Sequence, residues 1–297
     1  MNEYSFTERH MGTDTTLSFV CEENSVATSL SKKIFDTVQK YEQEFSRFLP
    51  NSSLSQLNRN GSKKVSSQFL DVLEKSIKLH HLTHKAFNPL VQVKRLGYDQ
   101  PFAALPTINN ITAGWYNTNI NDISIKKETS IVTLAPKQQL DFGGILKGYL
   151  AAELAEQAMQ HQDCSGCIIN LGGDLATRGR DELHKPFIFM LYNPITGIET
   201  PVTLTDTSLA TSGTYARQWQ TSQGTRHHII NTTTKQNPES ELVAVSIIHK
   251  DGATTEAMTK LFFAHGVSVA MELLPPDTHQ YQYFCVTKNG TELTNIV

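Results

Sequence analysis

His228, in the run "RHHIINTTT", carries an imidazole whose ordinary pKa of about 6.5 suits it to accept a proton near neutral pH. Side chains alternate along a strand, so if this run is extended His227 and His228 face opposite sides and only one can enter a site. A structural or solvated histidine is the competing reading. In "LDFGGILKGYL", Gly143 and Gly144 precede a predicted helix and Lys147 falls in its first turn. Open N–H groups at a helix start favour phosphate, and the lysine could neutralise it. No Walker loop is present, and taken alone a glycine turn beside a solvated lysine is the simpler reading. "NLGGDLATRG" offers Asn170, Gly172, Gly173 and Asp174 as bare backbone for a ligand, or as a turn capped by Asp174. "SLATSGTYAR" adds Ser212 and Gly213 in a second predicted small-residue turn. In "DGATTEAMTKLFF", Glu256 and Lys260 stand four apart on one helix face. They are either a surface ion pair worth roughly 0.3–0.5 kcal/mol or the remnant of a metal site.

The elements that must carry these residues follow from periodicity. "TTLSFVC" predicts a strand, and Ile34, Val38, Tyr41 and Phe45 give a helix over "SVATSLSKKIFDTVQKYEQEFSRF". "LPNSSLSQLNRNGSKKVSS" is expected to be a polar connection before a second helix in "SQFLDVLEKSIKLHHLTHKAF". The stretch around "PFAALPTINNITAGWYNTN" is expected to be irregular. A helix is predicted at about 144–160, its apolar stripe interrupted by Glu156, and then an apolar strand ending in the Gly172–Gly173 turn. Strands are predicted at 187–192, 201–204, 226–231, 242–248 and 282–287, with the "TTEAMTKLFF" helix between the last two. Strands and helices interleave without regular βαβ repetition, which favours α+β over a doubly wound sheet.

The 297 residues, 39% hydrophobic and 19% charged, belong to a soluble globular chain. With 26 basic and 29 acidic side chains the net charge is −3, which argues against nucleic acid as a partner, so an anionic ligand must be held locally. Charges near the N-terminus and the lack of a run of about 18 apolar residues predict no signal peptide, no membrane span and a cytoplasmic location. Cys21, Cys164, Cys167 and Cys285 are too few and scattered for a disulfide framework. The C-x-x-C of "CSGC" has no second pair to complete a zinc site.

Eight segments occur in order from residue 10 to 263: "HMGTD", "EFSRFLPNSSLSQLN", "AFNPLVQ…LGY", "LDFGGILKGY", "INLGGDLATRG", "ATSGTYARQW", "HHIINTTT" and "TTEAMTKLFF". Together they resemble the FAD:protein FMN transferases, the ApbE family. The resemblance implies an α+β fold of mixed, largely antiparallel sheets with flanking helices around an FAD cleft. It spans 1–297 as one domain, either undivided or built of two subdomains. It implies an enzyme that binds FAD and Mg2+, cleaves the pyrophosphate, and transfers FMN to a Thr or Ser hydroxyl of an acceptor protein, releasing AMP. By similarity, Met11, Gly12, Thr13, Ser46, Phe48, Gly143, Lys147, Asn170, Gly172, Gly173, Asp174, Ser212 and Gly213 line the FAD site, and His228 is the candidate base. Gly144, through its carbonyl, and the positions of Glu256 and Lys260 correspond to metal ligands.

The chain departs from the family pattern at that metal. The acid of the last segment is Glu256, one carbon longer than the family's Asp, and the family's Thr is Lys260, which cannot ligate while charged. Asn88 and Leu90 stand in "FNPL" for "FDPT", Ala152 replaces an acid with Glu153 adjacent, and "HIINTTTK" replaces "HIIDPRTG". The alternative to transfer is an FAD-binding paralogue with lost or only hydrolytic chemistry. For the metal, the alternatives are a lysine serving as a fixed cation, or a Glu256–Lys260 pair with the metal moved to Thr259 or lost.

Overall fold

The computed structural model describes residues 1–114, 116–274 and 281–296. In chain order the strands are β1 (Asn2–His10), β2 (Thr13–Cys21), β3 (Ser62–Lys64), β4 (Ser124–Lys126), β5 (Ile131–Thr133), β6 (Cys164–Leu171), β7 (Asp174–Gly179), β8 (Phe187–Tyr192), β9 (Glu199–Leu204), β10 (Ser208–Gly213), β11 (Gln218–Thr221), β12 (Gly224–His227), β13 (Leu242–His249), β14 (Gln282–Thr287) and β15 (Glu292–Thr294). The α-helices are α1 (Asn24–Phe45), α2 (Ser53–Asn60), α3 (Ser67–Leu82), α4 (Leu146–Met159) and α5 (Gly252–Leu273). The chain divides into two compact units. The first comprises Met1–Gln39, Ile145–Ser212 and Ser240–Val297, and the second Lys40–Gly144 and Gly213–Glu239.

The first unit is built on an eight-stranded sheet of order β1-β2-β6-β7-β10-β13-β14-β15. Tight hairpins join β1 to β2 and β6 to β7, and both are antiparallel. Helix α4 presents Leu150, Ala151, Leu154, Ala155 and Ala158 as its buried face. Glu156, which breaks that pattern in the sequence, keeps its carboxylate at the rim, where it accepts from Arg178 Nε of β7 at 2.6 Å. Helix α5 is buried through Ala253–Thr259 and Leu261–Phe263, and is kinked at Gly266 (φ 75°, ψ 169°). The helices α4 and α5 meet at two glycines. A Cβ on Gly148 would stand 2.1 Å from the Gly252 carbonyl oxygen, and one on Gly252 2.1 Å from that of Gly148. Cys21, Cys164, Cys167 and Cys285 are all buried free thiols, with burial pushing Cys164 and Cys285 up to about 12. They are packing residues at neutral pH.

The second unit has smaller sheets, β3-β5-β4 and β11-β12. Its core includes Phe45, Phe69 and Phe142, whose rings stack or meet edge to face within 5.7 Å. Asparagine side chains fix much of the loop backbone. Asn58 binds Leu140 through both its amide groups, accepting from the N–H at 2.7 Å and donating to the carbonyl at 2.8 Å.

Three expectations need correction, and one strand went unpredicted. The polar run after α1 is not a plain connection: Ser52 caps α2 by accepting from Ser55 N–H, and Leu54 and Leu57 are buried. The N-terminal residues form β1, which the hydrophobic pattern hides because neither face of this edge strand is well covered. "SLATSG" is strand β10 and not a turn. The strand expected at 226–231 ends at His227.

Candidate active site

Of the residues expected to act, Met11, Gly12, Thr13, Lys147, Asn170, Gly172, Gly173, Asp174, Ser212, Glu256 and Lys260 belong to the first unit. Ser46, Phe48, Gly143, Gly144, Gly213 and His228 belong to the second.

In the first unit two hairpin turns stand side by side. Met11 (φ 52°) and Gly12 (φ 74°) turn β1 into β2, and Gly172 (φ 68°) and Gly173 (φ 99°) turn β6 into β7. Two positive-φ residues in a two-residue loop match the twist of the strands they join. A Cβ on Gly172 would stand 2.2 Å from Thr13 Oγ1, so the second turn needs a glycine there to lie against the first. Asn170 Oδ1 accepts from Gly173 N–H at 2.8 Å and stiffens it.

Asp174, the first residue of β7, forms an ion pair with Lys147 of α4, and the two side chains are 5% and 18% exposed. This commits the lysine's charge to a carboxylate. One residue further along α4, Gly148 N–H donates to Glu256 Oε2 of α5 at 3.1 Å. The residue at the α4 N-cap is Ile145, which has no side-chain acceptor. Glu256 therefore caps α4 from the neighbouring helix, and a carboxylate at a helix start is favoured by the peptide dipoles.

Lys260 is the other cation of this end. Its Nζ donates to the Glu256 backbone carbonyl at 2.9 Å and to Ser212 Oγ at 3.4 Å. Thr259 Oγ1 donates to the same carbonyl at 2.8 Å, so in the 2.7 Å contact between Ser212 and Thr259 the serine must donate. Glu256 and Lys260 thus share a face, as their spacing predicts, yet they do not close a surface ion pair: the carboxylate caps α4 and the ammonium binds neutral oxygens. Burial pushes the Lys260 pKa down, and the charge of Glu256 partly offsets this.

In the second unit, Ser46 follows α1. Its Oγ accepts from Phe48 N–H at 3.3 Å, and its carbonyl accepts from Ser52 Oγ at 2.7 Å. Arg47, which the sequence reading passed over, lies over the rings of Phe48 and Tyr98 at 4.2 and 4.6 Å and pairs with Asp141 at 3.4 Å. Asp141 also accepts from Gly143 N–H at 2.9 Å, which shapes the turn that leads into α4. Gly213 ends β10, where a Cβ would stand 2.4 Å from the Tyr215 ring.

His228 lies just past β12, half-buried. Asn237 brackets it: its Nδ2 donates to the carbonyls of His227 at 2.6 Å and Ile229 at 2.7 Å. His227, the other member of the pair, has its pKa pushed down to about 4 by burial and then by Arg226. It stays neutral at pH 7. Downstream, Asn231 Oδ1 accepts from Thr233 and Thr234 N–H at 2.9 and 3.0 Å, and Lys235 (φ 58°) takes the left-handed position. The substituted "NTTTK" therefore still closes a turn after His228.

The sequence pattern of the ApbE family matches residues 11–284. The chain belongs to the ApbE family. An FAD:protein FMN transferase of Klebsiella pneumoniae is 26% identical over 274 residues, covering 89% of this chain and 83% of that protein. One from Vibrio cholerae is 24% identical over 261 residues, covering 84% and 77%. Among solved structures, the apo form of the Pseudomonas stutzeri flavinyl transferase ApbE superposes with a TM-score of 0.83 at 17% identity, covering 100% of this chain and 95% of that one. The ApbE protein of Thermotoga maritima does so with a TM-score of 0.85 at 19% identity, covering 99% and 97%. The α+β architecture with largely antiparallel sheets is the fold of this family. Among the described residues no helix is long and apolar enough to cross a membrane.

Arg47, Gly148 and Asn237 are the positioning residues that sequence reasoning missed. Gly148 had a legible signal, a glycine inside the first turn of a predicted helix, where glycine costs roughly 1 kcal/mol unless something must approach closely.

Proposed function

We propose how this chain works as an FAD:protein FMN transferase. The acceptor is a Thr or Ser hydroxyl of another protein. Its oxygen attacks the phosphorus on the FMN side of the FAD pyrophosphate, a new P–O ester bond forms, and the bond to the AMP phosphate breaks. AMP leaves with the electron pair, and the hydroxyl proton passes to His228. Such a transfer is governed by alignment and charge neutralisation. Alignment of the base falls to Asn237, which fixes the backbone on both sides of His228. The turns at Met11–Gly12 and Gly172–Gly173 offer backbone that a ligand can approach without meeting side chains. Ser46, Phe48, Gly143 and Gly213 are the flavin contacts assigned to the second unit. The match of the family pattern over 11–284 carries this reading.

Magnesium takes near-octahedral oxygen ligands. Of the positions that would supply them, Lys260 presents an ammonium bound to the Glu256 carbonyl and Ser212, and Glu256 Oε2 is held by Gly148 N–H. The Thr259 hydroxyl is engaged by Ser212 and the Glu256 carbonyl. These residues do not fit a magnesium site.

Incubation with FAD and an acceptor domain of the family should yield a covalently fluorescent acceptor and one AMP per flavin transferred. Release of FMN and AMP with the acceptor unlabelled would contradict transfer and leave hydrolysis.

A further inference from the structure

The first unit solves a charge problem at the α4–α5 contact in an unexpected way. An ammonium has three N–H donors and no acceptor. Lys260 spends two of them on uncharged oxygens, the Glu256 carbonyl and Ser212 Oγ. Ser212 can accept there because its own proton goes to Thr259, whose proton in turn goes to the Glu256 carbonyl. The carboxylate of Glu256, whose charge acts on Lys260, is drawn to the α4 start by Gly148 N–H. That is possible only because Gly148 and Gly252 let the two helices touch. Burial works against the Lys260 charge, and two dipoles in direct contact and the more distant Glu256 carboxylate work for it, so the ammonium makes no direct ion pair. Lys147, by contrast, is paired with Asp174. A metal dication beside Lys260 would meet a like charge, whereas a pyrophosphate would meet an opposite one and a remaining N–H.

We propose that Lys260 is a built-in cation that binds the pyrophosphate of FAD, so that flavin binding by this chain needs no divalent metal. The proposal rests on the flavin-transferase reading and names how the anion is held.

The test is titration of the full chain with FAD, followed by flavin fluorescence, in EDTA and again in magnesium. Calorimetric titration with magnesium alone runs alongside. Wild-type affinity should be the same within about twofold in the two media, and magnesium alone should give no saturable heat. Lys260→Met should weaken binding about tenfold or more, the scale of one hydrogen bond to a charged group. Lys260→Arg should keep most of the affinity, and Lys260→Thr, which restores an oxygen donor, should make binding depend on magnesium. Metal-dependent wild-type binding, or Lys260→Met binding as tightly as wild type, overturns the proposal while leaving the transferase reading intact. Failure of wild type to bind FAD in either medium overturns both. The wild-type comparison decides the matter even if a variant fails to fold.

Discussion

The α4–α5 end of the first unit and the His227–Asn237 segment of the second treat ionisable groups in opposite ways. The first keeps its charges and gives each a partner: Lys147 has Asp174, Glu256 has Gly148 N–H, and Lys260 has two neutral oxygens. In the second, burial and Arg226 hold His227 neutral at pH 7. Fixed charges at one end suit an anionic ligand. A neutral His227 next to His228 adds no positive charge against the imidazolium that the base must form. Within the first unit the two lysines differ as well, one in a direct ion pair with an acid and one bonded to neutral oxygens.

Gly148→Ala should do most to break this comparison. Its Cβ would stand 2.1 Å from the Gly252 carbonyl oxygen, so the helices must part and Glu256 lose its hydrogen bond. A loss of about 3 kcal/mol, the upper end of ordinary overpacking, is expected in urea unfolding. Asp174→Asn should follow at about 2–3 kcal/mol, because it leaves the largely buried Lys147 ammonium without its carboxylate. Glu256→Ala removes the cross-helix cap and should cost about 1 kcal/mol. Lys260→Met should cost less than about 1 kcal/mol of stability, because its bonds to neutral oxygens were modest in net value, while damaging FAD binding. That dissociation separates the two lysines.

The pH dependence sharpens the other side. The folded pKa of His227, about 4, lies below its ordinary 6.5, so the unfolded chain takes up the proton first. The stability His227 confers is complete above pH 6.5 and is lost as pH falls from 6.5 towards 4. His80, lowered mainly by burial, acts in the same direction. Urea midpoints measured across this window should show a shallower slope for His227→Gln, with no change in slope above neutrality.

The long helices were legible because their buried faces repeat at helical spacing, as Ile34, Val38 and Phe45 do in α1. The short element α2 was hidden by its serines and asparagines, although Ser52 as a cap with Leu54 and Leu57 following is a readable start. The strand β10 carries small residues that give no hydrophobic alternation. In the candidate site, glycine turns and the Glu256–Lys260 spacing could be read directly. What spacing cannot give is the partner: that Lys147 meets Asp174, that Glu256 caps another helix, and that Asn237 holds the carbonyls on either side of His228 all depend on how the chain folds back on itself.

The position of the pyrophosphate relative to Lys260 is the decisive quantity. Phosphorus NMR of FAD at saturation on the wild-type chain and on Lys260→Met, both in EDTA, reads that environment. The two pyrophosphate resonances of bound FAD should shift between the proteins. Superimposable spectra from fully bound samples would contradict the proposal.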